Sequence, residues 1–185
     1  VHFGIVCEDG EKSNGMAAGF EKWANHDAPN LTRYDALQTV FDPSFGYKRD
    51  WNAHHRLYRA SLLKAAYARM TGARLERAED GYEYLVVASL MQTEITRNDI
   101  VGYKYFIGRG VTSGDMLSVE SFGRSARQIR DCYDAAISYA QSMGDEVVLS
   151  CAKGFKARVI YSLANEWFER VSDADKLVAA DVAYD

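Results

Sequence analysis

Asp50 precedes His54 by one helical turn, and a carboxylate and an imidazole at that spacing share a face from which they could ligate a metal ion. His55 follows directly. No HExxH pattern and no third ligand at a diagnostic spacing accompany them, and His26 stands alone, so no metal is assigned. Nucleophilic catalysis would need Ser or Cys beside a base, and the chain has neither a GxSxG elbow nor a recognisable Cys and His signature. Cys151 is expected to end a strand just before a helix beginning near Lys153, where a helix N-terminus and nearby cations lower a thiol pKa; a buried, inert thiol is the plainer alternative. The loop Gly108-Arg109-Gly110-Val111-Thr112-Ser113-Gly114 could wrap a phosphate or act as a lid, yet it matches neither the Walker A nor the GxGxxG pattern. No motif implies a cofactor. Glu94, Tyr103, Tyr105 and Cys151 are conceivable pocket residues if the chain is a small enzyme.

Charge offers a second kind of chemistry. Between Lys48 and Arg77, the cations Lys48, Arg49, Arg56, Arg59, Lys64, Arg69, Arg74 and Arg77 face only Asp50 and Glu76. Such a surface could dock phosphate, nucleic acid or an acidic partner, although on a helix Arg56, Arg59, Lys64 and Arg69 spread around the barrel instead of forming one stripe. Arg124, Arg127 and Arg130 open a second helix, where cations oppose the macrodipole and so hint at an anionic partner. The 12 tyrosines are the compositional oddity. Tyr82 with Tyr84, and Tyr103 with Tyr105, would each share a face of a strand pair, an aromatic platform able to stack bases, dock a protein or pack on a helix. The binding candidates are therefore Arg56, Arg59, Tyr103, Tyr105, Arg124 and Arg127.

The elements that must position these residues follow from periodicity and punctuation. His2 to Cys7 reads as a strand stopped by Asp9-Gly10. Met16, Phe20 and Trp23 recur at helical spacing before Asn25, His26, Asp27 and Pro29 end the segment. Thr32-Arg33-Tyr34-Asp35 is a capping box for a helix through Leu37 and Phe41 that Pro43 closes. A long helix is expected from Asp50 to Gly72. Tyr82 to Leu90 reads as a strand, returning antiparallel through Ile100 to Ile107. Ser125 to Gln128 is a second capping box, opening a helix through Ile129, Cys132, Tyr133, Ala136, Ile137 and Ala140 to Gly144. Val147 to Cys151 reads as a short buried strand, and Phe155, Val159, Ile160, Leu163, Trp167 and Phe168 define another helix. Ser172 to Asp175 would cap a last one through Leu177 and Val178. The expected fold is α+β: a small, partly antiparallel sheet of about four strands packed against about five helices.

With 185 residues, 48% hydrophobic and 26% charged, the chain has the composition of a globular protein and is expected to form a single domain over 1–185. A net charge of −4 gives no global attraction for nucleic acid or an anionic membrane. No stretch approaches the apolar length needed to span a bilayer, and no signal peptide is evident, so a soluble, cytoplasmic protein is expected. The three cysteines form no CxxC pair and are expected to be reduced.

Cys132-Tyr133, Ala136-Ile137-Ser138, Val147, Cys151 and Asn165-Glu166-Trp167 together resemble a segment of the bacteriophage enzymes that degrade S-adenosylmethionine, a lyase family. The resemblance spans about a fifth of the chain. It implies that chemistry as one alternative and carries over no catalytic residue. In the absence of a catalytic motif, the leading expectation is a non-catalytic interaction, assembly or regulatory protein that works through its surface, by self-association or with a protein partner. The alternatives are a small enzyme on a soluble metabolite and nucleic-acid binding through the basic segment 48–77.

Overall fold

The structure, a computed structural model, describes all residues except 12, 14, 26–29, 47, 110–114 and 185. The chain runs β1 (His2–Asp9), α1 (Ala17–Ala24), β2 (Leu31–Thr32), α2 (Arg33–Phe41), α3 (Ala60–Tyr67) and α4 (Glu79–Leu90). It continues through β3 (Thr93–Glu94), β4 (Thr96–Ile107), α5 (Val119–Met143), α6 (Glu146–Arg170) and α7 (Lys176–Tyr184). No described helix is long and apolar enough to cross a membrane.

Strands β1 and β4 pair in parallel, and β2 and β3 form a separate two-residue antiparallel ladder. Phe3 lies opposite Arg97 but Gly4 opposite Val101, so β4 bulges between them. Two glycines permit the close approach: a Cβ on Gly4 would lie 2.6 Å from the Asn98 carbonyl oxygen, and one on Gly102 would lie 2.7 Å from the Phe3 ring. The outer edge of β1 is sealed by side chains instead of a strand. The Asn25 amide accepts from Ile5 N–H at 2.8 Å and donates to Ile5 C=O at 2.6 Å, and the Glu21 carboxylate accepts from Cys7 N–H at 2.7 Å.

The apolar core is helical. Helix α4 runs through its middle, with Tyr82, Tyr84, Leu85, Val86, Val87, Ala88 and Ser89 all buried, and α2, α5 and α6 surround it. Thr32 and Asp35 form the capping box of α2, and Pro43 follows its end in a 3-10 turn. Asp145 caps α6 by accepting from Val147 and Val148 N–H while also binding Arg33 and Tyr34 of α2, so one carboxylate starts a helix and fastens it to its neighbour. Gly81 of α4 and Gly154 of α6 let Phe155 and the Phe41 carbonyl, respectively, come within distances that a Cβ would forbid. A smaller cluster of Phe122, Val171 and Ala179 joins α5 to α7, with Leu163 of α6 packed against both clusters.

Mixed helix and strand is therefore correct, but the single four-stranded sheet is not: the described strands form two sheets of two strands each. The segment expected as a strand from residue 82 on is helix through Leu90, because a segment buried over most of its surface shows little polar periodicity, and its β-branched and aromatic residues then mimic a strand. No antiparallel hairpin joins 82–107. Residues 146–151 are the first turns of α6, nucleated by the Asp145 cap. The helix expected over 50–72 is broken into a 3-10 turn at Ala53–His55 and the short α3, because Asp50 and Arg56 are drawn inward. Helix α5 begins at a Ser118 cap, ahead of the Ser125 box.

Candidate functional site

The densest concentration of functional groups lies where β1, the loop before α3, α4 and β3 meet. His2, Arg49, Asp50, His55, Arg56, Tyr84 and Glu94 are all buried there. Four segments supply them: His2 from β1, Arg49, Asp50, His55 and Arg56 from the irregular segment ahead of α3, Tyr84 from α4 and Glu94 from β3. Arg56 organises the group. Its Nη1 donates to Asp50 Oδ1 at 3.0 Å and its Nη2 to the Asp50 carbonyl at 2.7 Å, while Nε donates to Glu94 Oε2 at 3.3 Å. Arg49 Nη1 stands 2.8 Å from Glu94 Oε1, and the Tyr84 hydroxyl donates to Oε2 at 3.3 Å. The Arg56 guanidinium also lies over the Tyr84 ring, 4.5 Å from its centre.

Two arginines thus meet two carboxylates. Burial alone would push the Asp50 carboxyl up, but Arg56 and the two imidazoles more than reverse this and hold it well below the usual carboxylate range. Glu94 is lowered in the same way, against the effect of its burial, by Arg56 and Arg49. His55 Nε2 lies 2.7 Å from Asp50 Oδ1. His2 Nε2 stands 3.9 Å from Asp50 Oδ2, and neither ring nitrogen of His2 has a hydrogen-bond partner. Burial lowers the His2 pKa, so the ring is neutral at pH 7. His54, the residue that spacing paired with Asp50, instead stacks outward on Tyr105 at 5.1 Å and lies 4.6 Å from Tyr103.

The six binding candidates are scattered. Arg56 is inside the charged centre, and Arg59 is exposed beside a cleft of about 880 Å³ that Tyr58, Leu62, Met91 and Glu94 also line. Tyr103 and Tyr105 share one face of β4, with the His54 ring laid against it, whereas Tyr82 and Tyr84 are inside α4. Arg124 lines a second cleft, of about 820 Å³, with Arg77, Asp80, Arg158 and Arg170; Arg127 lies on the exposed side of α5. In that cleft Arg77 is held by Glu166, and burial raises the Asp80 pKa to about 6. The basic segment is likewise dispersed: Arg49 and Arg56 are buried in ion pairs, Arg74 pairs with Glu76, and Lys48, Arg59, Lys64 and Arg69 remain exposed. Cys151 lies in the inner face of α6, and burial pushes its thiol up to about 12, the opposite of an activated nucleophile. Gly110 to Gly114 and His26 lie outside the described residues.

The outer face of α6 is the second unusual region; of its residues, the helical periodicity expected from sequence included only Ile160 and Phe168, in one stripe with Phe155 and Val159. Val148, Ala152, Phe155 and Val159, spaced four, three and four apart, face the core. Ala157, Tyr161, Ala164 and Phe168 repeat the same spacing on the opposite side and are exposed, Tyr161 by 68% and Phe168 by 69%. Ile160, 42% exposed, flanks them. The signal was present in the sequence as two interleaved seams, which a search for one stripe merges.

No protein-family model, no curated protein and no solved structure matches this chain. The residues resembling the phage lyases fall on α5 (Cys132 to Ser138) and α6 (Val147 to Trp167).

Proposed function

We propose that this chain is a non-catalytic assembly protein that pairs with a second copy of itself through the outer face of α6. The observation that carries this is the second apolar seam. A helix with apolar residues on both sides is normally covered on both sides, and among the described residues the outer one stays largely open, with the Lys176 ammonium over the Phe168 ring at 4.9 Å. Its pattern also suits a copy of itself. Large and small residues alternate, so in an antiparallel pairing about a twofold axis Tyr161 would sit against Ala164 of the other copy and Phe168 against Ala157. This is the a-against-d packing of an antiparallel coiled coil, and a twofold interface must be self-complementary in this way.

The seam spans about 17 Å of helix. Two aromatic side chains from each copy bury roughly 150–250 Å² apiece, so the contact totals under about 1,000 Å², below a standard interface of roughly 1,200–2,000 Å². A reversible, concentration-dependent dimer is expected. Light scattering behind size-exclusion chromatography, run over a wide range of concentration, should show the average mass rising toward twice that of the chain. Tyr161→Ser with Phe168→Ser should return it to monomer. A monomer at every concentration, or a dimer that survives the double variant, overturns the proposal; a complex only with a different protein would mean that the seam serves a heterologous partner.

A further inference from the structure

Within the charged centre, His2 is anomalous: its side chain is fully buried, and neither ring nitrogen has a hydrogen-bond partner. Asp50 Oδ2 and His55 Nδ1 are also buried without partners. Native interiors rarely leave such groups unmet, because each orphaned donor or acceptor costs about 1–3 kcal/mol. One imidazole nitrogen of His2, a carboxylate oxygen of Asp50 and an imidazole nitrogen of His55 all lie within 4.8 Å of one another. The 3.9 Å between His2 Nε2 and Asp50 Oδ2 is too long for a hydrogen bond. It is close to the roughly 3.4 Å that separates two ligands of one tetrahedral ion bound at about 2.1 Å.

We propose that His2, Asp50 and His55 bind one divalent transition-metal ion of the zinc class. Two imidazoles and one carboxylate are a borderline donor set that favours zinc or cobalt(II) over calcium or magnesium, which take oxygen ligands. Arg56 occupies Asp50 Oδ1, which orients the carboxylate and leaves Oδ2 to the ion. His55 binds through one ring nitrogen and carries a single proton on the other, as a metal-bound imidazole does. Because Arg49 and Arg56 are already offset by Asp50 and Glu94, the ion adds net positive charge to the centre, which weakens its binding. Buried on all sides, the ion would be structural. It would tie β1 to the segment between α2 and α3.

The test is made on the full chain after chelator treatment, with zinc chloride as the probe. Dialysis and metal analysis should find about one zinc per chain, and the melting temperature should rise by about 5 °C or more at a hundredfold excess over Kd. His2→Ala and Asp50→Asn should weaken binding at least about tenfold, and His54→Ala should leave it unchanged. Zinc content at background level in the wild type, or binding retained in both His2→Ala and Asp50→Asn, overturns the proposal: the first means that the gap holds water, the second that the metal sits elsewhere. Should either variant fail to fold, the wild type's cobalt(II) spectrum decides. Intense four-coordinate bands support the site, and weak six-coordinate bands overturn it.

Discussion

The Asp50 centre and the outer face of α6 are inverted relative to each other. One buries two arginines and two carboxylates where apolar side chains are expected; the other turns Tyr161 and Phe168 to solvent where polar residues are expected. Their energetics differ accordingly. In the centre every charge is desolvated and depends on its partners, so the groups are committed to holding four segments of the chain together and none is offered to the surface. The α6 face contributes little to the fold of the chain that carries it, since its area stays in water. A surface of that kind gains its free energy only when something covers it. On the proposed reading, the polar region does structural work and the apolar one recognition.

Removing one charge should separate the two regions most sharply. Arg56→Met deletes the cation shared by Asp50 and Glu94 and leaves Asp50 to His55 and Glu94 to Arg49 and Tyr84, so a loss of about 3–5 kcal/mol is expected in denaturant unfolding. Any dimer formed by the surviving folded fraction should keep its α6 contact. A loss below about 1 kcal/mol would mean that the centre is hydrated and does not do the structural work assigned to it.

Acid should act next, and again on the polar side alone. His54 has its pKa lowered to about 4, by burial first and by His55 second. The unfolded chain then takes up a proton that the folded chain refuses, so stability is full above about pH 6.5 and is lost as pH falls toward 4. His2 shifts in the same direction, and the lowered carboxyls of Asp50 and Glu94 add a further loss below that window. His54→Gln should flatten the profile between pH 6.5 and 4 in thermal melts. An unchanged slope would show that His54 titrates as freely in the folded state as in the unfolded one.

How far the two regions could be read from sequence differs for the same physical reason that they behave differently. Local signals were legible: the Thr32 and Asp35 capping box, the Pro43 stop, the Gly144 end of α5 and the apolar run of β1 all act within a few residues. The α6 seam is also local, a repeat of four and three within one helix, and was hidden only by its overlap with the inner seam. The charged centre was not legible. His2 and Glu94 are separated from Asp50 by long stretches of chain and meet it only because β1 pairs with β4, a parallel contact with no short-range signature. Spacing pointed from Asp50 to His54, whereas the 3-10 turn at Ala53–His55 directs the next residue inward. Tertiary demand for Arg56 then overrode the helical propensity of residues 50–59, and the run of buried aromatic and β-branched residues in α4 made a central helix look like a strand.

The smallest expected effect makes the contrast sharpest. Tyr161→Ser with Phe168→Ser, measured at a concentration where the wild type is monomeric, should change unfolding stability by no more than about 0.5 kcal/mol, because exposed side chains lose little on removal. Inward residues of the same helix behave otherwise, since Phe155 is fully buried against Phe41 and Trp51. If the double variant were instead destabilised by more than about 1.5 kcal/mol in the monomer, Tyr161 and Phe168 would be packed against their own chain in solution. The outer seam would then be part of the core, and the division of labour between the two regions would collapse.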